Sequence, residues 1–429
     1  MGNTTSENTQ LDFSTQGKKA TAAQAAEEYD LNDKVILVTG ANIGIGLETC
    51  RTLAEHNATV IMACRDRSKA NQARKNVIDS IVNNRTYLKC DLESLSNRIQ
   101  VIKLDLASLQ SIQECVKDFK SRNLKLHCLV NNAGVFMPKF QSTKDNIETT
   151  LQVNFLGPFY LTWLLLPYLF ASCKNPRVIN VTSIMHKKVP LPFADWLNSQ
   201  ISVLSSDTAE MEKNNEKKTH GVWGGITSSN FSINTSYGIS KALVILWTQW
   251  LHQKFHDGID LTSTSTNDQD SSAFSDDIKQ PEDRLALSHY GKLYVCCIHP
   301  GLVATSIGRN IPGGEFLFTN VMKPFIKSPE QGAATIVRCC VLPDDLFESG
   351  HFYVDCVPHD DMLLEELKTS TKLKIENRNN EEKEQEQQSY KSWTYADKLL
   401  SKVNVDLKKE WDISIVRESA VKHLRLRSS

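Results

Sequence analysis

The chain has 429 residues, enough for one to three domains at roughly 150 residues each, and its 40% hydrophobic content supports a sizeable buried core. Lys and Arg number 49 against 50 Asp and Glu, a formal charge of −1, which excludes recruitment to nucleic acid or an anionic membrane by bulk electrostatics. The eleven cysteines are odd in number and show no C-x-x-C spacing, which excludes a zinc ribbon, leaves no metal site to propose, and points to a reducing, cytoplasmic setting.

Residues 1–33 contain no apolar run and read as a flexible polar leader without a signal sequence or membrane anchor. Met1-Gly2-Asn3-Thr4-Thr5-Ser6 fits the myristoylation pattern at Gly2, and a plain polar leader accounts for the same residues equally well. One acyl chain would give only a weak membrane association.

From Lys34, short β-branched runs alternate with helical patterns, which predicts βαβ units. The expectation is an α/β fold of the Rossmann type over 34–360: a doubly wound parallel sheet with helices on both faces, in a single domain with polar loop insertions. Strands are expected at 35–38, 59–64, 99–104, 126–130, 178–181, 293–298 and 352–354, and helices at 45–56, 68–82, 109–119, 146–170, 236–255 and 329–341. The charge-free stretch from Phe155 to Cys173 passes the length test for a membrane span. Its Pro158 and Pro167, and the strand signals on either side, instead make it a buried central helix with no transmembrane segment. Polar insertions are expected at about 83–97, 199–235 and 257–290, the last containing the run 262–270, too polar to bury itself and hence disordered. Residues 361–429 read as a charged C-terminal extension with helices.

The first strand runs into Thr39-Gly40-Ala41-Asn42-Ile43-Gly44-Ile45-Gly46 and then an amphipathic helix. A glycine trio also serves ordinary tight turns, but strand before and helix after point to a dinucleotide, its pyrophosphate drawn to the helix N-terminus. Gly40, Asn42, Ile43, Gly44, Ile45 and Gly46 are therefore the candidate cofactor loop. The second strand ends in Ala63-Cys64-Arg65-Asp66. Arg65 stands near the position where an acidic residue would hold the ribose hydroxyls, and a guanidinium there suits the 2′-phosphate, so NADP(H) is expected over NAD(H). Asp66 falls one position late for the ribose and can cap the following helix. Asp105, with Leu106 after it, closes the third strand where an adenine edge would lie, or caps the helix starting near Ser108.

Tyr237-Gly238-Ile239-Ser240-Lys241 sets a phenol and an ammonium on one helix face. The cation is expected to lower the tyrosine pKa and suit Tyr237 to general acid/base work, although Y-x-x-x-K alone is a common surface pairing. Asn131-Asn132-Ala133-Gly134, Val153-Asn154, Val181-Thr182-Ser183 and His299-Pro300-Gly301 accompany it in order. With these motifs the chain from 34 to about 357 resembles the short-chain dehydrogenase/reductase family. Ala63 to Asp66, Leu104 to Ser108, Gln152 to Gly157 and Lys327 to Ala334 look most like retinol dehydrogenases and the oxidoreductase domain of the WW-domain oxidoreductase.

The resemblance implies an NADP-dependent oxidoreductase that interconverts an alcohol and its carbonyl by hydride transfer. Tyr237 would exchange the proton, Lys241 would lower its pKa and hold the nicotinamide ribose, Ser183 would bind the reacting oxygen, and Asn154 would support a water relay. Asn132, Ala133 and Gly134 would lie along the cofactor, with Pro300, Gly301, Val303 and Thr305 near the nicotinamide. In this family 302–325 is the substrate lid; its apolar residues suit a lipophilic, retinoid- or steroid-like small molecule, and packing on the core explains them equally well. Tyr237 follows Ser183 by 54 positions, longer than the family's usual spacing, so the 199–235 insertion borders the site and either reshapes or blocks the pocket. The rival is a cofactor-binding scaffold or interaction protein with little turnover, favoured by the insertions and opposed by Asn154, Ser183, Tyr237 and Lys241 occurring together.

Overall fold

The computed structural model describes residues 12–83, 92–205, 225–257, 291–303, 326–363, 365–367, 381–402, 405 and 407. Two short helices, α1 (Phe13–Gln16) and α2 (Ala22–Ala26), precede the first strand. Then come β1 (Val35–Thr39), α3 (Gly44–Glu55), β2 (Thr59–Cys64), α4 (Arg67–Asn83), α5 (Leu92–Arg98), β3 (Ile99–Lys103), α6 (Leu109–Ser121) and β4 (Cys128–Asn131). The second half runs α7 (Thr149–Ser172), β5 (Arg177–Val181), α8 (Phe193–Ser205), α9 (Ile233–His252), β6 (Tyr294–His299), α10 (Pro329–Val341), β7 (Phe352–Val354), β8 (Val357–Pro358) and α11 (Glu381–Lys402).

The strands form one eight-stranded sheet in the order β3-β2-β1-β4-β5-β6-β7-β8, parallel throughout except for the β7–β8 hairpin. Side chains of β1 alternate between its faces: Val35 and Leu37 join the core under α6, α7 and α9, while Ile36 and Val38 join the core under α3, α4 and α10. Burial on both faces is why these strands read as continuous apolar runs. The strand order reverses between β1 and β4, and such a reversal opens a crevice beyond the carboxyl ends of the two strands. This is the Rossmann-type doubly wound sheet.

Helix α7 is long and apolar enough by composition to cross a membrane, yet it lies inside the protein. Phe159 packs on Trp247 of α9 with ring centroids 5.6 Å apart, and Trp163 Nε1 donates to the Leu407 carbonyl at 3.0 Å.

The segments that flank the sheet on both sides in sequence pack against it. Residues 12–33 are docked rather than flexible: Thr21 and Gln24 form a capping box on α2, and Ala22, Ala25 and Ala26 are buried in the core shared with α3 and α10. The Arg338 guanidinium lies 4.5 Å from the centre of the Phe13 ring and donates to the Tyr29 hydroxyl at 3.1 Å. At the other end, α11 joins the main core through Trp393, Tyr395, Leu399 and Leu400, with Trp393 stacked on Trp250 at 5.8 Å. Within the expected 83–97 insertion, α5 is anchored by buried Leu95 and by Arg74, which donates to the Ser96 and Ile99 carbonyls. Gly2, nearly all of the 257–290 insertion, and 304–325 of the expected lid lie outside the described residues.

Candidate active site

The crevice between β1 and β4 opens into a cleft of about 670 Å³. One end is the turn from β1 into α3. Gly40 has φ +66°, which L side chains rarely adopt, and a Cβ there would lie 3.0 Å from the Ala133 backbone. A Cβ on Gly46 would come within 2.5 Å of Asn132 Nδ2, so only bare backbone fits. The turn is tied to β4 through Thr39, whose hydroxyl accepts from the backbone N–H groups of Asn132 and Ala133, both at 3.0 Å, and whose carbonyl accepts from Asn132 Nδ2 at 2.8 Å. Ile43, the residue before α3, has no side-chain oxygen to cap it, so the first N–H groups of the helix are left to the cleft. Free N–H groups, a helix dipole and a cradle without Cβ atoms fit a pyrophosphate.

Asn42, Gly44, Ile45, Arg65, Asp105, Leu106 and Gly134 line the same cleft. Arg65 is exposed at the end of β2. Asp66 is committed elsewhere: its carboxylate accepts from Lys69 N at 3.0 Å as the cap of α4, a bond that holds its pKa below the usual value. Asp105 accepts from Ala107 N at 3.0 Å, closing the turn after β3, while Ser108 caps α6.

The opposite end is built by β5, β6 and α9. Ser183 follows β5, and its Oγ accepts from Met185 N at 3.2 Å. Tyr237 and Lys241 project from α9, one turn apart. Thr182 fastens that helix to β5 by donating to the Lys241 carbonyl at 2.8 Å, and Lys241 Nζ donates to the Val181 carbonyl at 2.9 Å. An ammonium has three N–H groups, so two stay free of that bond. The phenol lies edge-on to Phe136, with ring centroids 4.9 Å apart.

The electrostatics differ from the expectation that a nearby cation dominates. Burial pushes the Tyr237 phenol up to about 12, and the Ser183 hydroxyl pulls it partly back. Burial likewise pulls Lys241 down to about 8. The ammonium sits 5.6 Å from the Tyr237 ring centre. Around neutral pH the phenol therefore carries its proton and the amine its charge.

Asn154 lies beneath the cleft rather than in its lining, on a π-helical turn of α7 (Gln152–Leu156). Its Oδ1 accepts from Val135 N at 2.8 Å, and its Nδ2 donates to the Val135 carbonyl at 2.9 Å and to Ser240 Oγ at 3.1 Å. The amide thus fixes the strand end that carries Gly134. Pro300, Gly301 and Val303 line the cleft beside Ser183, and Thr305 lies outside the described residues.

The described residues of the 199–235 insertion stay out of the cleft lining; α8 packs against the main core through Phe193, Leu197 and Leu204. Sequence reasoning missed Phe136, Met137 and Met185, which line the cleft, and gave no role to His299, which lines it too. The one sequence signal of Phe136, Met137 and Met185 is proximity, each lying within three residues of a motif already singled out. Burial holds His299 near a pKa of 4, and its Nδ1 has no hydrogen-bond partner among the described residues.

The family profile described as short chain dehydrogenase matches residues 34–194. The WW domain-containing oxidoreductase of Homo sapiens is 32% identical over 337 residues, 78% of this chain, which spans 65% of that protein's length. A solved structure, salutaridine reductase from Papaver somniferum, aligns over 75% of this chain and 99% of its own at 22% identity, with a TM-score of 0.46. Retinol dehydrogenase 12 of Mus musculus is 30% identical over 326 residues, which cover 75% of this chain and 78% of that protein. On that identity and coverage, the chain belongs to the short-chain dehydrogenase family.

Proposed function

We propose that this protein is an NADP(H)-dependent oxidoreductase interconverting a lipophilic alcohol and its carbonyl. The observation that carries the reading is one cleft with a Cβ-free phosphate cradle at one end and Ser183, Tyr237 and Lys241 together at the other. Gly40 to Gly46 would hold the pyrophosphate, Arg65 the 2′-phosphate, and Lys241 the nicotinamide ribose through its two remaining N–H groups. The bound nicotinamide would supply or accept the hydride.

The residues of the chain supply the proton and the orientation. Ser183 Oγ donates to the substrate oxygen, which polarises the carbonyl and holds it against the phenol. Tyr237, protonated at neutral pH because burial disfavours phenolate, delivers its proton to that oxygen during reduction. In oxidation the same phenol must take the proton back as a phenolate, whose charge the Lys241 ammonium offsets. Phe136, Met137 and Met185 give the substrate side an apolar wall, which suits a lipophilic molecule of the kind a retinol dehydrogenase is named for.

The test is cofactor turnover by purified protein against a panel of retinoids, steroids and small carbonyls, followed as NADPH absorbance. Turnover that disappears in Tyr237→Phe supports the reading. Tight cofactor binding without turnover across the panel replaces it with a cofactor-binding scaffold.

A further inference from the structure

The wall of the cleft beside Ser183 is an irregular segment, Pro300 to Val303, which neither β6 nor α10 contains. Its position is set by β6: Thr182 N donates to the Ile298 carbonyl at 2.8 Å, so the residues after His299 run alongside Ser183. A hydride donor must lie next to the carbonyl that Ser183 and Tyr237 hold. This segment therefore borders the nicotinamide end of the cleft, whereas Gly40 to Gly46 and Arg65 border the adenosine end.

Lys327 grips that segment in three ways. Its backbone N donates to the Leu302 carbonyl at 2.7 Å, and a β-bridge pairs it with Val303. Its side chain lies against Gly301, where a Cβ would come within 2.9 Å of Lys327 Cδ and 3.4 Å of Nζ; Gly301 also has φ +86°, so only glycine seats the stem here. Beyond the stem, Nζ pairs with Asp355 Oδ1 at 2.5 Å, with 10% of the lysine side chain and 27% of the aspartate exposed. Asp355 has φ +51° in the two-residue turn between β7 and β8, so the sheet edge itself holds the anion in place. His299 faces the pair and is kept neutral by burial, then by Lys327, so it does not compete for the carboxylate.

We propose that the Lys327–Asp355 ion pair is a positioning clamp for the nicotinamide end of the cofactor: it fixes Gly301 to Val303 against the sheet edge without touching the cofactor. The inference rests on the dinucleotide reading above. A mostly buried pair fixes one geometry, and removing one partner leaves the other charge uncompensated, so either single change loosens the segment. Lys327 and Asp355 are positioning residues; neither lines the cleft.

The test uses the full chain and two probes, NADPH and 2′,5′-ADP, which carries the adenosine end but no nicotinamide. NADH and ADP-ribose run alongside, so that a different cofactor choice is not mistaken for a failed clamp. In Lys327→Met, which keeps the stem against Gly301, and in Asp355→Asn, NADPH affinity by calorimetry should fall about five- to tenfold. Affinity for 2′,5′-ADP should stay within about twofold, and Lys327→Arg should recover most of the loss. An unchanged NADPH affinity in both variants overturns the clamp, as do equal losses for NADPH and 2′,5′-ADP, which indicate general damage. If Lys327→Met is insoluble, Asp355→Asn decides alone. Wild-type protein that binds none of the four probes overturns the dinucleotide reading first, a result distinct from selective binding that the variants leave untouched.

Discussion

Arg65→Asp is the substitution that most sharply tests how the cleft chooses a cofactor. Arg65 lines the cleft at the end of β2, and its exposed guanidinium is free to meet a 2′-phosphate. The one carboxylate near enough in sequence to offset it, Asp66, is held as the cap of α4 by Lys69 N at 3.0 Å and by an ion pair with Lys69 at 3.7 Å. A fully formed charge-assisted contact is worth about ten- to a hundredfold in affinity, and exposure to solvent places this one near the lower end. Wild-type protein should therefore favour NADPH over NADH about tenfold. In the aspartate variant the phosphate meets repulsion and the ribose hydroxyls gain an acceptor, so the ratio should swing about a hundredfold toward NADH. Arg65→Met should leave the two cofactors nearly equal. The assay is fluorescence titration of NADPH and NADH at two ionic strengths, where the wild-type preference should shrink with salt. A wild-type ratio near one, or an aspartate variant that moves the ratio by less than about threefold, refutes the contact.

The remaining predictions concern the catalytic end and the buried histidines. Tyr237→Phe should cut turnover by about 10²-fold or more while NADPH affinity stays within about twofold, and residual activity near wild type would rule out the phenol as the proton donor. Lys241, lowered to about 8, loses its charge as the pH rises through that value, so NADPH affinity should decline between pH 7 and 9.5 more steeply than in Lys241→Met; parallel profiles would contradict its ribose contact. His127 accepts from Val35 N at 3.0 Å through Nδ1, and burial pulls both His127 and His186 down to about 4. A histidine whose folded pKa lies below its unfolded value contributes stability that is full above about pH 6.5 and is lost as pH falls toward 4. For fully buried His186 the ceiling is about 3 kcal/mol. Urea midpoints measured from pH 7 to pH 4.5 should fall, and fall less in His127→Asn; an unchanged slope in that variant would show that His127 does not carry the effect.

The interior strands were legible because burial on two faces leaves a mark in every residue: Val35 to Val38 and Thr59 to Cys64 are apolar without interruption. The ends of the chain left no such mark. Helix α2 docks through Ala22, Ala25 and Ala26, and small residues packed closely enough to exclude water carry almost no periodic hydrophobic signal. In α11 the first turns are Glu- and Gln-rich, and they masked the buried Trp393, Tyr395, Leu399 and Leu400 that follow. Strand β8 spans two residues, too few for any alternation to register.

At the candidate site, residue types were legible and their energetics were not. The spacing of Tyr237 and Lys241 announces a phenol beside an ammonium, and pairwise electrostatics alone then predicts a lowered phenol pKa. Folding removes both groups from water, and desolvation opposes charge on each of them separately, which raises Tyr237 and lowers Lys241. The two shifts have one cause and a useful consequence: at neutral pH the chain presents an acid that has kept its proton next to a cation that has kept its charge. The ring of Phe136 against Tyr237 and the Thr182 bond to the Lys241 carbonyl are long-range contacts that a sequence read one motif at a time does not reveal.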